Sequence, residues 1–218
     1  MDSRDIYKDM TSVLRKGRYR DRILLYRGEE ELDRLSGWVC RKERSRGEER
    51  DEDLKKLVES CLKCSGVEEK KFGIGTGTNR VMIILNSPQL VNVVEKKVLK
   101  KDSVDLLKKI VQAAQLSFND CYITNLVKCE VADPLMKPSQ IVKNCEYIIS
   151  REIEFIKPRI AIVFGDIIPL QKIIKESVDL VWFNIEHPIT LLKNPDLKRN
   201  AWNTLKLIME KMKELYLL

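Results

Sequence analysis

The sequence predicts a three-layer α/β (αβα) domain built on a central four-stranded parallel sheet. Four short runs, VMIILN (81–86), CYITNLVK (121–128), IAIVF (160–164) and LVWFNIE (180–186), are rich in β-formers, and helical patterns separate them. These runs are continuously apolar rather than alternating, as strands are when crossover helices cover both faces of a parallel sheet.

The elements follow in order. Residues 1–50 stand apart, with 14 basic and 11 acidic side chains, and RKERSRGEER (41–50) contains no apolar residue. They read as a charged N-terminal extension, either a solvated appendage or a nucleic-acid-binding arm, ahead of a domain at 51–218. Leu54, Leu57, Val58 and Leu62 fall on one helical face leading into Cys61 and Cys64. GIGTGT (73–78) precedes a strand, whereas a dinucleotide loop follows one and opens a helix. It also lacks the Gly-Lys-Ser/Thr ending of a triphosphate loop, so it is read as a turn. A helix is expected around 103–116. Another is expected at 139–157, capped by Ser139, lined by Ile141, Cys145, Ile148, Ile149 and Ile153, and stopped by Pro158. A short helix precedes the fourth strand, and residues 198–215 form a terminal amphipathic helix.

Composition bounds the function. The chain has 218 residues, 44% hydrophobic and 33% charged, which excludes a wholly disordered chain and a membrane-embedded one. No apolar run approaches the roughly 20 residues that span a bilayer. MDSRDIYKDM lacks the apolar stretch of a signal peptide, so a cytoplasmic setting with reduced thiols is expected. A formal charge of +7 suits an anionic partner or simply a solvated basic surface. A single histidine rules out sites that need two, including two-His zinc fingers and HExxH metalloproteases.

In such sheets ligands bind beyond the carboxyl ends of the strands. After the first strand comes Asn86-Ser87-Pro88-Gln89, late in the second Asn125 and then Lys128-Cys129, and after the fourth His187-Pro188. Polar residues therefore converge on one rim. Cys61-Leu62-Lys63-Cys64 is a two-residue knuckle that can aim two sulfurs at one centre, and fifteen residues separate Cys129 from Cys145. Four thiolates can hold zinc or an iron–sulfur cluster, and unrelated buried thiols are the alternative. Cys40 and Cys121 fit neither spacing. His187 is the one imidazole, and its rim position makes it a candidate catalyst as well as an ordinary core or surface histidine.

The succession CLKC, FGIGTGTNRVMIILNSP, CYITNLVKC, Cys145, IKPRIAIVFG and EHPITLLKNP resembles the iron–sulfur (family 4) uracil-DNA glycosylases over about residues 54–215. The resemblance implies the uracil-DNA glycosylase fold and a 4Fe–4S cluster on Cys61, Cys64, Cys129 and Cys145 that braces loops near DNA without redox chemistry. It implies that Asn125 reads the uracil edge and that His187 stabilises the departing uracil anion, with the loop behind His187 pressing into the minor groove. Lys193, Lys198 and Arg199 would meet the phosphate backbone. Three departures accompany it. The first motif, usually Gly-Glu-(Ala/Gly)-Pro-Gly, reads Leu85-Asn86-Ser87-Pro88-Gln89, so Asn86 stands where the water-positioning glutamate would be. The pyrimidine-stacking phenylalanine falls near Leu99. An Arg-Gly hairpin between the third and fourth strands is missing. The expectation is a monomeric DNA glycosylase that hydrolyses the bond to uracil or a related damaged base. In it His187 and Asn86 would be catalytic, with Asn86 and the Pro88 turn placing the water, and Asn125, Ser87, Pro88 and Leu99 would bind the substrate. The competing expectation is a catalytically silent iron–sulfur DNA-binding protein of the same fold. A zinc protein of unrelated function is the third.

Overall fold

The computed structural model describes residues 52–86, 93–133 and 135–217, without the side chains of residues 93–98 and 100. The charged extension, Cys40, Ser87 and Pro88 lie outside the described residues. A helix at 52–59 (α1) leads to β1 (Val67–Lys70) and β2 (Val81–Leu85). Next come α2 (Val93–Ala113), β3 (Tyr122–Asn125), β4 (Cys129–Val131) and α3 (Pro138–Ile156). The remainder is β5 (Ile160–Phe164), α4 (Gln171–Glu176), β6 (Val181–Ile185), α5 (Pro188–Lys193) and α6 (Lys198–Glu214).

Four parallel strands form the expected sheet, in the order β3-β2-β5-β6. Their side chains divide with the period of two that a pleated strand imposes. Val81, Ile83, Ile123, Ile160, Ile162 and Ile185 pack with Leu107 and Val111 of α2, Leu191 of α5, and Leu205 and Ile208 of α6. Met82, Ile84, Tyr122 and Val163 pack with Leu54 of α1, Val142 and Ile149 of α3, and Ile173 of α4. Both faces are covered, and each fully buried Ile, Leu or Met side chain contributes about 1.5–3 kcal/mol. This double burial is why the strands read as unbroken apolar runs.

Several boundaries differ from expectation. α2 begins ten residues before the expected start, because VVEKKVLKK favours helix while carrying too little apolar periodicity to announce it. Ser139 does not cap α3: Pro138 occupies the first turn, where its missing N–H costs nothing, and Lys137 is the cap residue without a side-chain bond. The helix ends at Lys157, in the left-handed region (φ 51°) with its N–H on Ile153 O at 2.8 Å, and Pro158 follows. Its buried face is Val142, Cys145, Ile148, Ile149 and Glu152, so a carboxylate stands where an aliphatic residue was expected. Leu62 belongs to no helical face and is 90% exposed. The GIGTGT segment is a turn against β3. Gly75 (φ 85°) passes so close to Cys121 that a Cβ there would lie 2.0 Å from its carbonyl oxygen.

The strand expected at 121–128 stops at Asn125. The chain turns at 126–128 and re-enters as β4, antiparallel to β1, with Lys70 opposite Cys129 and Val67 opposite Val131. This second sheet was not expected, since VEEK and CEV are short and carry no apolar run.

Candidate active site

The chain runs from β2 to β3 on one side of the sheet and then crosses to β5 and β6 on the other. The order reverses between β2 and β5, and the crevice outside the carboxyl ends of such a pair is where these folds bind ligands. Register aligns what borders it. Leu85 pairs with Asn125 on one side and with Phe164 on the other, and Phe164 pairs with Ile185. Three strand spacings put the ends of this row roughly 14 Å apart. Asn86, Gly165-Asp166 and Glu186-His187 come directly after it, so Asn86, Asn125 and His187 share one rim, as the sequence suggested.

Asn86 is half-buried and spans the crevice. Its N–H donates to Phe164 O at 2.8 Å, and its Nδ2 donates to Asp166 O at 2.8 Å. From the other side Asn184 Nδ2 donates to Gly165 O at 2.6 Å and to Val163 O at 3.1 Å. Gly165 (φ 111°) allows this crossing, because a Cβ there would lie 2.1 Å from Asn86 O. Two amide side chains thus hold the exit of β5.

His187 follows β6 and is 6% exposed. It is the cap residue of α5: its Nδ1 accepts from Ile189 N at 3.2 Å, and its carbonyl accepts from Leu191 N at 3.0 Å. Pro188 in the first turn suits a helix start. A ring that accepts at Nδ1 carries no proton there, which leaves Nε2 as the nitrogen able to donate. The segment behind it is helical rather than a loop. Pro188, Ile189 and Leu191 are buried in the core, while Lys193 is exposed along with Lys198 and Arg199 at the start of α6. Leu99 lies within α2 and is half-buried.

Cys129 and Cys145 both feel the charge of other candidate thiols. Burial pushes the Cys129 thiol up, and the neighbouring Cys64 and Cys61 add to this while Lys70 and Lys71 oppose it. Burial pushes Cys145 up to about 11, opposed by an N–H from Lys128 and reinforced by Cys129 and Cys64. Tyr147 is raised by burial first and then by its bond to Cys61, and the Lys63 ammonium sits 3.8 Å from the centre of its ring. Lys128 N approaches Cys145 Sγ at 3.4 Å, and Asn144 Nδ2 approaches Cys64 Sγ at 3.5 Å. N–H donors of this kind stabilise thiolates that ligate metal. Among the described residues, no three His, Cys, Asp or Glu side chains group around a position that could hold a metal ion. The donor chemistry suits a thiolate-bound centre: Cys129 is influenced by Cys64 and Cys61, Cys145 by Cys129 and Cys64, and N–H groups are aimed at Cys145 and Cys64. Cys121 lies apart, at the start of β3, accepting from Asn79 Nδ2 at 3.2 Å.

Sequence reading missed one arrangement here. Lys128 is fully buried (0% exposed), and Glu152 of α3 is 1% exposed. Lys128 Nζ donates to both carboxylate oxygens at 2.7 Å and to Thr124 Oγ1 at 2.5 Å. Tyr122 Oη and Thr124 Oγ1 also donate to Glu152 Oε1, at 3.1 and 3.0 Å. Burial lowers the pKa of the ammonium, and the Glu152 charge acts the other way. The available signal was positional: Glu152 lies seven residues after Cys145, hence on the same helical face.

Among the described residues no helix is long and apolar enough to cross a membrane. No curated protein matches the chain. A family model does, over residues 72–206, more than half of the chain. It takes in the whole parallel sheet together with Asn86, Asn125, Cys129, Cys145 and His187, and leaves the Cys61–Cys64 knuckle outside. That span, on a parallel sheet whose polar rim lies at the order reversal, makes the chain a member of the uracil DNA glycosylase superfamily.

Proposed function

We propose that the protein hydrolyses the N-glycosidic bond of uracil, or of a related damaged base, in DNA, and that it is of the iron–sulfur, family 4 type. The observation that carries this is the register row that brings Asn125, Asn86 and His187 to one rim at the order reversal. Reaching a base takes it out of the stack, at a few kcal/mol, into a pocket that recognises its edge. Asn125 supplies both an amide donor and an acceptor for that edge. As the C1′–N bond breaks, its electron pair leaves with the base, and the sugar becomes oxocarbenium-like. His187, with its proton on Nε2, donates to the base oxygen where negative charge grows. Water then bonds to C1′, and its proton ends on the released base. Asn86 orients that water through its amide oxygen; it cannot take the proton.

Cys61, Cys64, Cys129 and Cys145 would hold a 4Fe–4S cluster. When bound, the cluster supplies a rigid cross-link between the knuckle, β4 and α3. Support comes from the influence of Cys61 and Cys64 on Cys129 and of Cys129 and Cys64 on Cys145, and from the N–H groups directed at Cys145 and Cys64. A silent DNA-binding protein is favoured by one observation: Asn86 replaces an acid and is tied to Asp166 O. The test incubates the purified full chain with single- and double-stranded uracil-containing oligonucleotides and measures abasic sites. Uracil release supports hydrolysis. Salt-sensitive binding without release supports the silent reading.

A further inference from the structure

We infer that the buried Lys128–Glu152 pair is a positioning device that sets where Asn125 stands against α3, an inference that rests on the base-reading role proposed for Asn125. Lys128 Nζ reaches back four residues to Thr124 Oγ1 and closes residues 124–128, with Asn125 among them, into a side-chain-locked loop. The loop is then pinned from outside. Leu126 N donates to Leu85 O at 2.9 Å, Lys71 N to Lys128 O at 2.6 Å and Lys128 N to Cys145 Sγ at 3.4 Å. Both carboxylate oxygens of Glu152 receive Lys128 Nζ. Cys145 and Glu152 lie seven residues apart on α3, about 10.5 Å along its axis. Lys128 therefore grips that helix by its main chain at one point and by its side chain at another, three residues from Asn125.

Stability alone is a weak reason to bury such a pair. Buried ion pairs replaced by apolar residues of similar volume are often neutral or stabilising. What an apolar pair lacks is direction: hydrogen bonds fix the loop to a few tenths of an ångström, whereas packing tolerates sliding. Precision of that order matters to a residue that reads a base, since a misplacement of about 1 Å costs on the order of 10²-fold in rate.

The experiment uses the full chain carrying Lys128→Met together with Glu152→Leu, and separately Glu152→Gln. The double variant is expected to keep its Tm and its iron content at wild-type level or above. Its KM for uracil-containing DNA stays unchanged, and kcat falls by about 10–100-fold. Glu152→Gln retains an acceptor for Lys128 but leaves its charge uncompensated, so it keeps most of kcat while losing stability. Amide exchange at residues 125–128 quickens in the double variant, while that of β2 and β5 does not. A double variant with wild-type kcat and unchanged exchange overturns the inference. If the wild type releases no uracil, the base-reading role fails, and the exchange measurement alone decides the positioning: faster supports it, unchanged refutes it.

Discussion

At the β6 end of the rim, His187 is held by its near neighbours in sequence: it caps α5 through Ile189 N and Leu191 N, and Pro188, Ile189 and Leu191 sink into the core. At the β3 end, Asn125 closes the strand and opens a turn tied to Leu85, Lys71, Cys145 and Glu152, residues from three other segments. The first end is local and apolar and would form wherever the strand and helix form. The second assembles only when distant thiols and charges meet. The contrast separates two ways of fixing a side chain, one by packing and one by directional bonds. It also says that damage to each end should leave a different signature.

The largest effect is expected at the β3 end. Lys128→Met alone leaves Glu152 buried without its counter-charge, which costs about 3–5 kcal/mol, whereas converting both partners to apolar residues recovers most of it. Denaturant unfolding of the single and double variants measures this directly. A single-variant cost under about 1 kcal/mol, the value of an exposed pair, would mean that this end is held by packing like the other.

His187 gives the next effect and reads the β6 end. His187→Ala should lower kcat by about 10²–10³-fold, the loss seen when one donor to a developing anion is removed. The donor acts most strongly in the transition state, so the change falls on kcat more than on DNA binding. Removing the cap should also cost about 1 kcal/mol. His187→Asn, an effective cap, should restore stability but not rate. An active wild type whose His187→Ala variant keeps full speed would refute the chemistry and leave the fold standing.

The same contrast explains what could be read from the chain. The parallel sheet, its rim and His187 were legible because burial on both faces writes itself as apolar runs, and a polar residue after such a run faces the rim. Glu152 was not legible as a buried charge, because its position on the face of Val142, Cys145, Ile148 and Ile149 says that it is covered but not which partner meets it. Lys128 was hidden for the converse reason: LVK reads as the frayed end of a strand when it is a turn folded back on Thr124. β1 and β4 escaped because VEEK and CEV are three or four residues long and carry no apolar run to announce a strand. Asn86 was found as a departure from a motif, but its bond to Asp166 O depends on how closely Gly165 passes, and that distance is tertiary.

A smaller effect tests the surface beyond His187. Lys198 and Arg199 are exposed in the first turn of α6. If they meet phosphates, Lys198→Gln and Arg199→Gln should each lower the slope of log K against log salt by about 1, similarly for every sequence. Fluorescence anisotropy across a salt series provides the slope. An unchanged slope would move the DNA path away from the β6 end.

The smallest expected effect is at Cys121, which supplies the control for the β3 end. It is a fully buried thiol immediately before the strand that ends in Asn125, and it packs in the layer opposite Tyr122 and α3, with Val111 and Ile208, while accepting from Asn79 Nδ2. Burial raises its pKa, partly offset by that bond and reinforced by Asp120, so it stays protonated through neutral pH and alkylates slowly. Reactivity should rise only as pH climbs above the ordinary thiol value, because the thiolate is the nucleophile. Cys121→Ser keeps an acceptor for Asn79, should cost no more than about 1–2 kcal/mol, and should leave iron content at the wild-type level. Cys129→Ser, eight residues on, should lose iron under the same purification. Equal iron loss from both variants would mean that the metal follows burial along β3 rather than the group formed by Cys61, Cys64, Cys129 and Cys145. Stoichiometric zinc in place of iron would retain the ligand group and remove the cluster.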